Sequence, residues 1–190
     1  AALRQLHIAE VKVYKAEDTL ETVKRVLNEA LEKSDIVFLT GGVSVGDFDF
    51  VAAAANENGI EKVFHKIKQK PGKPFYFGKK ESKLVFGLPG NPASVLTCFY
   101  EYVEPAIKQI VKQSTSLRAI QAPIAEPFKK AAGLTHFLKG YYNGITATAL
   151  QAQESYRLSS FANANCLIKI EEEVTACDKG QIVEIHLLPV

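Results

Sequence analysis

A glycine-rich turn joins an apolar run to an alanine-rich run, and this junction restricts the possible folds more than any other stretch of the chain. Ile36-Val37-Phe38-Leu39 reads as a buried strand, and a helical pattern rich in alanine follows Phe50. Between them Thr40 to Phe50 reads Thr-Gly-Gly-Val-Ser-Val-Gly-Asp-Phe-Asp-Phe. Gly41, Gly42 and Gly46 carry no Cβ, so backbone N–H groups there can come close to an anion. Asp47 and Asp49 stand at the rim of the same turn, where a phosphate cradle ordinarily favours cations. Carboxylates at that position make sense when a divalent metal lies between them and the ligand. The expectation is a metal-assisted site for a phosphorylated ligand, against the plainer reading that the glycines only close a tight corner.

A second corner supports the first reading. Leu84-Val85-Phe86 ends in Gly87-Leu88-Pro89-Gly90-Asn91-Pro92, which opens a long helical pattern. Asn91 suits the N-cap and Pro92 the first helical position, whose N–H would be unpaired in any case. Val95, Leu96, Phe99, Tyr102, Val103, Ile107, Ile110 and Val111 recur at helical spacing behind it. Two strand ends that each lead into a helix fit the carboxyl edge of a parallel sheet. Between the corners lie Lys62, Lys66, Lys68, Lys70 and Lys73, the last two within Lys-Pro-Gly-Lys-Pro (70–74). Pro71 and Pro74 fix their own φ and restrict the residues before them, so this loop is expected to be stiff. From the residues alone, most of these lysines read as a solvated face.

Taken in order and spacing, Gly-Gly-Val-Ser-Val-Gly-Asp-x-Asp, Lys-Pro-Gly-Lys-Pro and Leu-Pro-Gly-Asn-Pro-x-Ser resemble the molybdopterin molybdenumtransferases, the MoeA family that includes the E domain of gephyrin. The resemblance covers nearly the whole chain. It implies a three-layer α/β molybdopterin-binding domain with a mostly parallel sheet over residues 1–114, its first strand missing. A small all-β barrel or sandwich would follow over 115–190. The implied activity completes molybdenum cofactor synthesis: adenylylated molybdopterin and molybdate are the substrates, Mg²⁺ is the cofactor, and AMP is released. Carried onto this chain, the resemblance puts the essential carboxylates and metal ligands at Asp18 and Asp49, and the essential lysines at Lys66 and Lys70. Thr40, Gly41, Gly42, Ser44, Gly46, Pro89, Gly90, Asn91 and Pro92 would line the pocket, with Lys139 and Ser155 at a molybdate position. It further implies a homodimer in which a partner subunit's upstream domains complete the pocket.

Local chemistry is compatible with these roles. Asp18 opens Asp-Thr-Leu-Glu ahead of Leu20, Val23, Val26, Leu27, Ala30 and Leu31, a capping-box pattern with Glu21 three residues on. Capping is therefore its expected role from the residues. A strand expected over 8–14 would also leave Asp18 at a carboxyl strand end. Two positions depart from the family pattern. Lys139 stands where arginine is usual, replacing a planar fork with a point charge, and Glu154 stands where glycine is common, beside Ser155. The chain starts in what reads as a helix without an initiator Met, as expected of a portion of something longer.

Composition narrows the remaining classes. With 47% hydrophobic residues and mixed charge the chain can bury a core. A net charge of +2, with only Arg4, Arg25, Arg118 and Arg157 as arginines, argues against nucleic acid. Cys98, Cys166 and Cys177 are far apart, and His7, His65, His136 and His186 are scattered, so no zinc set and a reducing cytoplasm are expected. No apolar run is long enough for a bilayer, and no signal peptide is visible. Helices are expected over 18–33, 47–58 and 92–112, and strands over 8–14, 35–39, 61–66, 74–78 and 83–87. Short alternating strands follow at 118–123, 136–142, 146–151, 166–171 and 181–188. Two rival functions share the fold: a non-catalytic binding or scaffold module, and a nucleotide pyrophosphatase or amidase resembling the competence-damage-inducible family.

Overall fold

The computed structural model describes residues 2–8, 10–42, 50–113 and 118–189. In chain order the elements are α1 (Ala2–Gln5), α2 (Leu20–Lys33), β1 (Ile36–Thr40), α3 (Phe50–Glu57), β2 (Glu61–His65), β3 (Gln69–Lys70), β4 (Tyr76–Lys80) and β5 (Lys83–Leu88). There follow α4 (Pro92–Cys98), a π-helical stretch (Phe99–Val103), α5 (Glu104–Ile110), β6 (Arg118–Pro123), β7 (Phe128–Lys129) and β8 (Thr135–Tyr142). The last are β9 (Ala147–Ala149), α6 (Ser159–Ala162), β10 (Cys166–Ile170), β11 (Ala176–Cys177) and β12 (Ile182–Leu187). Compactness groups these into two units, residues 1–65 with 76–88 and residues 66–75 with 89–190. The boundary expected at 114/115 falls in 114–117, outside the described residues.

The first unit is a four-stranded sheet in the order β1-β5-β4-β2. Leu27, Ala30 and Leu31 of α2 and Val51, Ala54 and Ala55 of α3 form one core with Val37, Tyr76 and Val85 of the sheet. Phe38, Phe86, Phe77 and Phe64, one per strand, make a row of ring contacts with centroids 5.6, 4.8 and 5.7 Å apart. Such pairs add roughly 0.5–1.5 kcal/mol each beyond their burial and help fix the register.

The α/β class is as expected, but the sheet is not mostly parallel. β1 and β5 pair in parallel, whereas β4 pairs antiparallel with both β5 and β2. The reason is the short turn at Glu81 and Ser82, which folds β4 and β5 into a hairpin without a crossover helix. The strand expected over 8–14 also does not form. Its alternation is real, but Val11 and Val13 are 49% and 85% exposed, and no described strand pairs with them. A strand is stabilised by its partner's hydrogen bonds and side chains, not by pattern alone.

The N-cap of α2 is Thr19, not Asp18. The Thr19 hydroxyl oxygen accepts from the Thr22 N–H at 3.3 Å and donates to the Thr22 hydroxyl at 3.0 Å. Replacing Thr19 with alanine is expected to cost about 1 kcal/mol, read as a lower urea midpoint. The same loss from Asp18→Ala instead would return the cap to Asp18.

In the second unit a sheet runs β3-β8-β10-β12-β6, with β9 also paired to β8. β3 is parallel to β8, and the other ladders are antiparallel. β7 and β11 form a separate two-stranded ribbon. β6, β8, β9, β10 and β12 match the alternating runs read from the sequence to within a residue or two, because one face is buried, whereas the two-residue β3, β7 and β11 match no such run. Ala122, Leu138, Ile168, Val183 and Ile185 fill a common core. Among the described residues a single isolated bridge joins Ile124 to Ala147 and no ladder closes the sheet, so it is open and not a barrel.

The helix expected over 92–112 is instead α4, the π stretch and α5, ending at Ile110. In a regular α-helix the Pro105 ring would collide with the Glu101 carbonyl and leave it without its donor. The chain widens just ahead of that proline, and the Glu104 N–H donates to the Phe99 carbonyl five residues back. The widened turn carries Glu101 into a buried ionic cluster. Its carboxylate lies 2.8 and 2.9 Å from His186 Nδ1, and His186 Nε2 lies 2.9 Å from Glu184.

Candidate ligand-binding site

In the first unit the glycine corner begins where β1 ends. Thr40 is exposed and pairs with Leu88 of the neighbouring β5. Gly41 and Gly42 follow with φ of 84° and 65°, the left-handed region that an L side chain rarely occupies. A Cβ on Gly41 would meet nothing within 4 Å, so backbone conformation and not space demands the glycine. The Gly41 N–H donates to the Leu88 carbonyl at 3.3 Å and is therefore spent on the sheet. Ser44, Gly46 and Asp49 lie outside the described residues. Asp18 is exposed just ahead of the α2 cap.

In the second unit, Lys66 and Lys70 sit on one loop, 66–75, and both are exposed. Its ends are closed by Lys66 N–H to the Phe75 carbonyl at 2.9 Å and Ile67 N–H to the Lys73 carbonyl at 3.0 Å. The proline stiffness read from the sequence is thus joined by backbone bonds. A buried side chain holds the loop from inside: the Gln69 amide donates to the Pro71 carbonyl at 2.9 Å and lies 3.6 Å from Cys98 Sγ. The Tyr102 hydroxyl donates to the Gln69 side-chain oxygen Oε1. Burial, then the charge of Glu101, pushes the Cys98 thiol up to about 12, so it packs and does not react. Lys70 lies in register beside His136. Burial, then the charges of Lys130 and Lys70, holds that imidazole below its usual value.

Gln69, Cys98 and Tyr102 were not singled out for this role by the sequence. Tyr102 reads there as one of a helically spaced apolar set and Cys98 as one of three cysteines far apart, and a 33-residue separation between Gln69 and Tyr102 leaves no local signal.

The second corner brings together Asn91 and Ser155, which are 64 residues apart. Asn91 stands at the N-cap of α4 with Pro92 behind it, as expected. Its side chain does not cap, however: the amide donates to the Ser155 hydroxyl oxygen at 2.9 Å. The helix end is served from elsewhere, the Ala93 N–H donating to the Ser155 carbonyl at 3.1 Å. Pro89 is buried, and Gly90 and Pro92 are exposed around this turn. The Glu154 carboxylate lies 3.6 Å from Arg157 Nε, so its charge has a partner on the surface.

Lys139 is placed differently from expectation. It is 2% exposed, and its ammonium donates to the carbonyls of Ala152, Glu154 and Arg157 at 2.8, 3.2 and 3.3 Å. An ammonium has three N–H donors, so none remains for an oxyanion. Burial holds its pKa below the usual value, against the raising effect of Glu154. Among the described residues no three His, Cys, Asp or Glu side chains gather as a metal set. Nor is any described helix long and apolar enough to cross a membrane.

Residues 1–109 match the family described as "Probable molybdopterin binding domain". The chain belongs to this molybdopterin-binding family. Residues 121–188 match the MoeA C-terminal region, domain IV. A molybdopterin molybdenumtransferase of Haemophilus influenzae is 35% identical over 197 residues, covering 98% of this chain and 48% of that protein. One of Staphylococcus aureus strain Mu50 is 33% identical over 184 residues, covering 94% of this chain and 44% of its own length. The chain thus spans about half the length of the curated relatives it matches. The solved molybdopterin biosynthesis MoeA protein of Pyrococcus horikoshii superposes with a TM-score of 0.75 at 29% identity, over 90% of this chain and 42% of that one. A Pyrococcus furiosus molybdenum cofactor biosynthesis protein gives 0.78 at 22% identity, which shows the shared fold. Within this family the molybdopterin-binding portion carries the glycine corner and the lysine loop, and the C-terminal β portion carries Lys139 and Ser155.

Proposed function

We propose that this chain is the C-terminal portion of a molybdopterin molybdenumtransferase that inserts molybdate into adenylylated molybdopterin and releases AMP. The observation that carries this reading is the order of its two parts. A molybdopterin-binding match is followed by a MoeA C-terminal match, and named transferases align along both. Lys66 and Lys70, exposed on a loop tied at both ends, are the groups that neutralise phosphate or molybdate oxygens. A loop already ordered loses little entropy when an anion arrives. Pro89, Gly90 and Asn91, in the same unit as these lysines, shape the backbone near the ligand. The Ser155 hydroxyl, which accepts from Asn91, keeps its proton for another acceptor. Catalysis of this kind rests on positioning and charge stabilisation and needs no covalent nucleophile.

Mg²⁺ is the implied cofactor, and when bound it would neutralise the pyrophosphate. Asp18 is the one proposed ligand among the described residues, which do not form a metal set by themselves, so no step is routed through the ion. The reading includes a homodimer, a cytoplasmic location and a domain boundary near 114. In the full-length protein, AMP release from adenylylated molybdopterin is expected to require molybdate. Asp49→Asn is expected to slow it on the order of a hundredfold and abolish its Mg²⁺ dependence. Equal rates with and without molybdate would defeat the proposal. A scaffold module is the second reading, favoured by the withdrawal of Lys139 from solvent. Tight binding of the adenylylated ligand without AMP release would select it.

A further inference from the structure

We infer that Lys139 is a positioning residue that fixes the 152–157 segment so that Ser155 closes against Asn91 and Ala93. Its ligand readout rests on the function proposed above. The ammonium points all its donors at the carbonyls of Ala152, Glu154 and Arg157, and the side chain is sealed from solvent. The backbone of the same residue grips the segment a second time. The Lys139 N–H donates to the Gln153 side-chain oxygen at 3.0 Å, and the Gln153 amide donates back to the Lys139 carbonyl at 2.8 Å. That amide also reaches the Leu150 carbonyl at 2.6 Å, and the Ser160 hydroxyl reaches the Ala152 carbonyl at 2.8 Å. The segment is therefore pinned on both sides of Ser155.

At its middle, Ser155 makes two contacts outside the segment: its carbonyl with the Ala93 N–H and its hydroxyl with the Asn91 amide. Remove the charge at 139 and three carbonyls lose their shared donor inside the protein. Ala152 keeps the Ser160 hydroxyl and Glu154 keeps the Arg157 N–H, but each loses its ammonium bond and the Arg157 carbonyl loses its nearer donor, so the segment loosens and Ser155 leaves α4. Lysine suits this task better than arginine, since a compact ammonium can serve three carbonyls converging from different directions, whereas a planar fork cannot.

The test uses the full-length protein with Lys139→Met, Ser155→Ala, their double variant and Gln153→Ala. Two quantities are read: amide hydrogen exchange, and kcat and KM for molybdate in AMP release. In Lys139→Met, exchange at Ala93 and across 152–157 is expected to rise at least about tenfold, while Ile168 of β10 and Ile185 of β12 keep their protection. The molybdate KM rises about tenfold with a smaller change in kcat, and the double variant is no worse than Lys139→Met alone. Gln153→Ala, which keeps the charge, shows the same exchange pattern at roughly threefold.

Unchanged exchange at Ala93 in either variant overturns the inference. Losses that multiply in the double variant do so as well, because they make Lys139 an independent contact to the anion. Should Lys139→Met lose protection throughout β10 and β12, Gln153→Ala decides alone. If the wild-type protein releases no AMP, the proposed function fails, and the exchange results still settle the positioning role.

Discussion

Glu101→Leu is expected to destabilise the protein by about 3 kcal/mol at pH 6 and to remove most of its loss of stability above neutrality. Glu101 is 7% exposed on the π stretch, with its carboxylate 2.8 and 2.9 Å from His186 Nδ1. The other ring nitrogen is 2.9 Å from Glu184, which also takes Lys169 at 3.1 Å, and Lys169 reaches Glu171 at 2.8 Å. A carboxylate at each nitrogen requires a proton on each, so the ring is an imidazolium. Burial pushes His186 down from its ordinary 6.5, but the bonds and charges of Glu101 and Glu184 outweigh that and leave it raised. The sign follows from linkage. A histidine whose folded pKa is raised contributes stability that is full below the unfolded value and is lost as pH rises through the folded one. Glu184, whose carboxylate is held low by His186 and Lys169, contributes in the opposite sense and loses its share as pH falls below the ordinary carboxylate range. Stability should thus peak between the two limbs.

Removing one partner of a buried pair leaves the other charge uncompensated, which generally costs about 3–5 kcal/mol. Glu184 still faces the ring, so the lower end applies. Urea midpoints at pH 6 and pH 8.5 make the comparison: wild type should fall between them, Glu101→Leu should start lower and stay flat. Parallel pH profiles for the two proteins would show that this cluster does not govern the basic limb.

Gly72→Ala carries the second large effect, a loss of about 3 kcal/mol, combining left-handed strain of about 1–2 with overpacking of about 1–3 kcal/mol. Gly72 has φ of +97°, and a Cβ there would lie 2.5 Å from Cys98 Sγ and 2.7 Å from the Gln69 amide nitrogen. Neither neighbour can move cheaply. Cys98 is fully buried and its thiol faces the Gly72 carbonyl at 3.8 Å. Gln69 is already held by Pro71 and Tyr102. Relief must come from the loop itself, which carries Lys66 and Lys70, so the substitution should also weaken the anion binding proposed for them. Gly41→Ala is the control: φ of +84° is also strained, but the space is empty, so about 1 kcal/mol is expected. Equal losses at both positions, read from urea midpoints, would show that collision adds nothing at Gly72.

Gly72 lies in the Lys-Pro-Gly-Lys-Pro motif, but the first effect involves residues whose importance no local pattern announces. His186 reads as one of four scattered histidines, and Glu101 as a polar position on an amphipathic helix. Their meeting depends on the widened turn before Pro105 and on an 85-residue separation that only folding closes. Pro105 stands in the sequence, and a break in the helix ahead of it follows from its ring and missing N–H.

The sequence by itself determined the elements whose faces are buried by periodic side chains. Strands β6, β8, β9, β10 and β12, the helix from Leu20, and the strand, glycine corner and Pro-Gly-Asn-Pro turn in their order could all be read from it, whereas the short β7 and β11 could not. So could the family, because its motifs are contiguous strings. Tertiary structure alone decided that the described residues of 8–14 form no strand, that Thr19 and not Asp18 caps α2, and that β4 also pairs antiparallel with β2 in a mixed sheet. It alone turned Lys139 from an expected anion contact into a buried donor to three carbonyls, and set Ser155 against Asn91. For the buried polar groups the physical reason is shared. Periodicity records how much of a side chain is buried, whereas the partner of a buried polar group comes from a distant part of the chain and leaves no trace in its neighbours.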